Sequence, residues 1–150
     1  MKTIRILHLY HDLLNLYGDS GNIRILNKEL REQLDVEVII DRKTIGDPFD
    51  FVGYDCVYVG AGVERNILVA LEDLRPYVSQ LNDFILKNKV LLMTGGSFTI
   101  LGKSIALPEG NGIEGLKLFD FETKLKKTRD NQDGVYRFVG GKQRIYSNGK

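Results

Sequence analysis

A chain of 150 residues, 43% of them hydrophobic, has the length and apolar content of one domain spanning residues 1–150, with a single core burying roughly two-thirds of the unfolded surface. Its 21 basic and 20 acidic side chains leave a net charge of +1, which removes the general electrostatic argument for a nucleic acid or an anionic membrane as partner. One cysteine, Cys56, excludes an internal disulfide and a multi-cysteine zinc site; no apolar run is long enough to span a bilayer, and Arg5 breaks the opening run as a signal peptide.

Ile4–Tyr10 reads as a first strand. Residues Gly21–Leu34 follow as a helix, with apolar positions Ile23, Ile25, Leu26, Leu30 and Leu34 near helical spacing and Asp19 or Ser20 as its cap. Val36–Ile40 gives a second strand, then a polar loop over Asp41–Asp50 and a third strand over Tyr54–Gly60, in which Cys56 is a small core residue. Glu64–Asn88 carries a helical pattern interrupted at Pro76, which fits the first residue of a second helix. Glu64 and Arg65 open this region as a solvated charge pair or as substrate-positioning groups. Strand four is Val90–Met93.

Strands alternating with helices predict an α/β fold with a doubly wound, mostly parallel sheet, whose ligands bind beyond the carboxyl ends of the strands. At one such end, Thr94-Gly-Gly-Ser-Phe-Thr-Ile-Leu-Gly102 breaks the fourth strand at a glycine turn and starts a helix. This is the pattern of a nucleophile elbow with Thr94 at its apex, where backbone N–H groups are placed to hold an oxyanion. Beyond it, Gly115–Thr123 and Val135–Val139 read as antiparallel strands flanking the sheet. Lys124, Lys126, Lys127 and Arg129 form a basic cluster that reads as a solvated face.

Three segments together resemble the class I, cobyric-acid-synthase-like glutamine amidotransferases, in particular the branch of the glutaminase subunit of lipid II isoglutaminyl synthase. They are Leu14-Asn-Leu-Tyr-Gly-Asp-Ser-Gly-Asn22, Gly60-Ala-Gly-Val-Glu-Arg-Asn66 and Thr94–Gly102, with Gly112–Thr123 and Arg129 continuing the likeness. The resemblance implies a flavodoxin-like architecture, here without its C-terminal part. It also implies glutamine as substrate, hydrolysed to feed ammonia to a Mur-ligase-like synthetase subunit in a cytoplasmic heterodimer, with no metal and no cofactor. By the same resemblance Thr94 stands at the nucleophile position, Gly60, Gly62 and Gly95 near the oxyanion, and Arg129 on the substrate carboxylate.

Two departures from the family pattern bear on turnover. Threonine replaces the elbow cysteine, and a hydroxyl needs a closely placed base to attack an amide. The family's histidine has no counterpart among the two present, His8 and His11, which read as a hydrogen-bonded core residue and a loop residue. His8 or His11 acting on Thr94 from a neighbouring strand end is the alternative route to a nucleophile. The expectation is an amidotransferase-like subunit with impaired catalysis; the competing readings are a non-catalytic binding subunit and a fragment of a longer amidotransferase. Asp19 and Asn22 read as turn and cap residues or as pocket lining. Their loop lacks the glycine and lysine spacings of a nucleotide site.

Overall fold

The computed structural model describes residues 1–125 and the backbone of two further strands, 134–139 and 142–147. In chain order the first elements are β1 (Thr3–Leu9), α1 (Asp19–Leu34), β2 (Glu37–Lys43) and β3 (Cys56–Val59). Then come α2 (Glu64–Leu74), a 3-10 turn over Arg75–Tyr77, α3 (Val78–Leu86), β4 (Val90–Met93) and a 3-10 segment over Gly95–Leu101. The four strands form one parallel sheet in the order β2-β1-β3-β4, as the alternation of elements predicts.

The pleat sorts the strand residues between two cores. Ile6, Val38 and Tyr58 project from the face covered by α1, where Ile23 of α1 joins them and Leu26 and Leu30 pack alongside. Leu7, Leu9, Val57 and Val59 project from the opposite face onto Ile67, Ala70 and Leu71 of α2 and Leu81 and Phe84 of α3. Helices on both faces make the sheet doubly wound, which is why its strands read as continuous apolar runs. Leu71 is fully buried between sheet and helices. Leu71→Ala is therefore expected to cost about 2–5 kcal/mol in urea unfolding, with the slope of the transition unchanged.

Several boundaries differ from the sequence reading. Helix α1 begins at Asp19 rather than Gly21, with left-handed Gly18 before it and no side-chain cap. Ile25 and Leu34, counted as apolar positions, are 62% and 57% exposed, because the buried stripe follows Ile23, Leu26 and Leu30 instead. Strand β2 runs to Lys43, three residues into the expected loop, since β1 offers it pairing as far as Leu9. Pro76 lies inside the 3-10 turn, so α3 starts two residues after it.

After Gly102 the chain forms β5 (Ser104–Ala106), β6 (Gly112–Glu114) and β7 (Glu122–Lys124). Strand β5 pairs antiparallel with β6 and parallel with β7. The expected strand over Gly115–Thr123 is mostly irregular. Its backbone folds onto the end of the 3-10 segment instead, with Leu116 N–H donating to Ile100 O at 2.8 Å and Leu118 N–H to Leu101 O at 3.0 Å. The expected strand at Val135–Val139 lies within β8 (Gly134–Val139), which pairs antiparallel with β9 (Lys142–Ser147).

Candidate functional site

The carboxyl ends of β3 and β4, the loop after β1 and the start of α1 meet at one corner. Thr94 follows β4 with extended backbone (φ −108°, ψ 154°), and its N–H donates to Val59 O at 3.0 Å. The left-handed residue of the turn is Gly95 (φ +62°), not Thr94. A Cβ at Gly95 would come within 2.5 Å of the Ala61 Cβ, so conformation and contact both require glycine there.

Gly60 meets an equally tight constraint. A Cβ there would run into the carbonyl oxygen of Leu14 and come within 2.7 Å of the Asp19 Cβ. The missing side chain lets the loop after β1 close on the strand end, where Leu16 N–H donates to Ala61 O at 3.0 Å. A Cβ at Gly62 would meet only the Cδ2 end of the Leu14 side chain, a softer obstacle. None of the described hydrogen bonds uses the N–H of Gly62, and the N–H of Gly95 precedes the bonding ladder of its 3-10 segment.

The Thr94 side chain does not stand free above the sheet edge, as the elbow reading expects. It is half-buried, and its hydroxyl donates to the Asp19 carboxylate at 2.8 Å. Tyr58 also donates to Asp19, at 3.0 Å, and its hydroxyl lies 3.4 Å from Thr94 Oγ1. Asp19 is 1% exposed. Desolvation pushes its pKa up, but hydrogen bonds from Thr94, Tyr58 and the Ala61 and Tyr17 N–H groups together hold it below the ordinary carboxylate value. A carboxylate so stabilised is a weak base.

The histidines lie apart from this hydrogen-bond network. His8 is fully buried on the α1 face, edge-on to Tyr58 with ring centroids 5.1 Å apart, and neither ring nitrogen has a hydrogen-bond partner. Burial first, then the nearby charges of His11 and Arg42, lower its pKa to about 4, so the ring is neutral. The expected satisfied core histidine is thus a buried but unpartnered one. His11 lies beyond it, with ring centroids 6.1 Å apart, and neither ring hydrogen-bonds Thr94.

Tyr58 is the residue the sequence reading left out of the centre, and Asp19 takes the pocket-lining side of its two readings. Asn22, one turn into α1, hydrogen-bonds Tyr58. Glu64 and Arg65 open α2 as exposed residues. Cys56 is half-buried and its thiol is pushed up to about 11, chiefly by burial, which leaves it unreactive. Arg129 falls outside the described residues. Among the described residues no group of three His, Cys, Asp or Glu side chains is placed to hold a metal ion, and no helix is long and apolar enough to cross a membrane.

A profile of the CobB/CobQ-like glutamine amidotransferase domain matches residues 5–146. The chain belongs to this family. Two curated relatives carry the name lipid II isoglutaminyl synthase (glutamine-hydrolyzing) subunit GatD. The chain is 33% identical to the one from Streptococcus pneumoniae over 137 residues, 91% of its own length and 50% of that protein's. It is 32% identical to the one from Staphylococcus aureus over 136 residues, 90% of its length and 55% of that protein's. The chain thus spans about half the length of the curated relatives it matches. Within this CobB/CobQ-like domain the parallel sheet brings Gly60, Gly62, Thr94 and Gly95 to one corner.

Proposed function

We propose that this chain is the glutamine-binding part of an amidotransferase of the lipid II isoglutaminyl synthase type, with turnover impaired at Thr94. Glutamine lies over the turn between β4 and the 3-10 segment, its carboxamide oxygen towards the Gly62 and Gly95 N–H groups and the edge of Gly60. Arg129 takes its carboxylate in a bidentate pair. The partner is a Mur-ligase-like synthetase subunit that binds ATP and the acceptor, in the cytoplasm.

The observation that carries the impaired reading is the commitment of the Thr94 hydroxyl proton to Asp19 at 2.8 Å, with neither histidine in hydrogen-bonding contact with that oxygen. Attack on an amide by an alcohol requires a base that takes this proton as the bond forms, and loss of a positioned base costs about 10²- to 10⁴-fold. The relatives' printed names support the substrate and the assembly, and the close approach of Gly95 to Ala61 beside Thr94 supports the placement of the carboxamide at this turn.

Calorimetric titration with glutamine and an ammonia-release assay test this together. Glutamine is expected to bind wild type and Thr94→Ala with affinities within about threefold, since the threonine adds one small contact. Ammonia release is expected at background in both. Absence of glutamine binding overturns the substrate assignment, and release that vanishes in Thr94→Ala replaces impairment with threonine-dependent catalysis.

A further inference from the structure

Asp19 is a buried carboxylate without an ion-pair partner among the described residues, and its oxygens are nonetheless occupied from several directions. Thr94 donates from the end of β4 and Tyr58 from β3. The Tyr17 N–H approaches from the loop at 3.4 Å, and the Ala61 N–H from the segment after β3. Its Cα opens α1, where the N-terminal end of the helix favours an anion. The backbone at Gly60 is bare of a side chain where Asp19 enters. Carboxylate and side chain 94 are therefore held at a fixed separation by four segments of the fold.

Resting on the reading that position 94 is the reaction centre, we propose that Asp19 is the positioning residue for side chain 94, gripping it from the α1 side and selecting a neutral hydrogen-bond donor there. A threonine hydroxyl meets the demand: its single proton goes to Asp19 and its oxygen stays protonated. A thiolate does not. It has no proton to place between itself and the carboxylate, and two negative centres at hydrogen-bond distance repel each other at a buried site. Replacing threonine by the cysteine of the family motif therefore puts a thiol in a place built to keep it protonated.

The test is the pH profile of iodoacetamide alkylation in Thr94→Cys and in Thr94→Cys/Asp19→Asn, read by mass spectrometry on the peptide containing position 94 so that Cys56 is scored apart. The removed charge is expected to lower the apparent thiol pKa by roughly one to three units, so alkylation at pH 7 rises about tenfold or more. Coincident profiles, or a lower thiol pKa with Asp19 present, overturn the proposal. Because Asp19→Asn risks the fold, a second measurement leaves Asp19 intact. The ¹³C NMR titration of its carboxyl carbon is expected to move up in near-isosteric Thr94→Val relative to wild type, and an unmoved titration overturns the proposal equally. Neither readout requires glutamine, so a failed glutamine titration and a failed grip are told apart.

Discussion

Gly60→Ala is expected to destabilise the chain by about 3 kcal/mol or more in urea unfolding, at the upper end of overpacking effects. Nothing is wrong with the conformation of residue 60 for an alanine; the obstacle is what the methyl meets. One neighbour is the backbone carbonyl of Leu14 and another the Asp19 Cβ at 2.7 Å, and neither is the far end of a flexible chain. Relief requires the loop after β1 to retreat, and that loop is tied by Leu14 N–H to Tyr10 O at 2.8 Å and by Leu16 N–H to Ala61 O at 3.0 Å. Gly21→Ala is the control. Gly21 lies inside α1 with open space where a Cβ would go, so alanine is expected to stabilise by about 0.5–1 kcal/mol through helix propensity. If the two variants unfold at the same urea concentration, the close approach at Gly60 is not what holds the corner shut.

The same contrast shows what a sequence does and does not display. The four parallel strands and the helices between them were legible because apolar runs such as Cys56–Val59 and the spaced positions Ile67, Leu71, Leu74 and Leu81 are local signals of burial. The glycines at 60, 62 and 95 were legible only through the family resemblance, as glycines near an oxyanion. What they approach was not: Gly60 meets a loop some forty residues earlier, and that pairing is set by the sheet order β2-β1-β3-β4.

Asp19 stayed open between cap and pocket lining for a related reason. An acidic residue just before a helical pattern is ordinarily a cap, and the first turn of α1 supports that reading until Tyr58 and Thr94 arrive from β3 and β4. Alternation along Cys56–Val59 places Tyr58 on one face of the sheet without saying that α1 delivers a carboxylate to its hydroxyl. The segment Gly115–Phe121 misled in the other direction. Its alternating apolar residues look like a strand, but Leu116 and Leu118 bond to the carbonyls that end the 3-10 segment.

Acid is expected to destabilise the chain well above the pH at which its carboxylates titrate, and His8 is the cause. The ring is fully buried with both nitrogens unpartnered, so protonation in place would create an uncompensated charge beside Arg42 on the adjacent strand and His11, with the Asp19 carboxylate only partly opposing. The pKa of about 4 in the folded chain lies below the ordinary 6.5, and between these values the unfolded chain binds the proton and the folded chain does not. Stability therefore rises with pH across this window. His8's contribution is complete above about 6.5 and falls away by roughly 3 kcal/mol as pH drops towards 4. Asp12, Asp19 and Asp41 act lower down: their carboxyls lie below the ordinary 3.8, so their contributions persist through that window and are lost only beneath it. His8→Phe separates the two. Phenylalanine keeps the edge contact with Tyr58 and removes two orphaned nitrogens, so its stability at pH 7 is expected within about 1.5 kcal/mol of wild type. Between pH 6.5 and 4 the urea midpoint of the variant is expected to stay nearly level while that of wild type falls. Parallel decline in both proteins would mean that His8 finds a partner in solution, and would move the acid-sensitive group elsewhere in the fold.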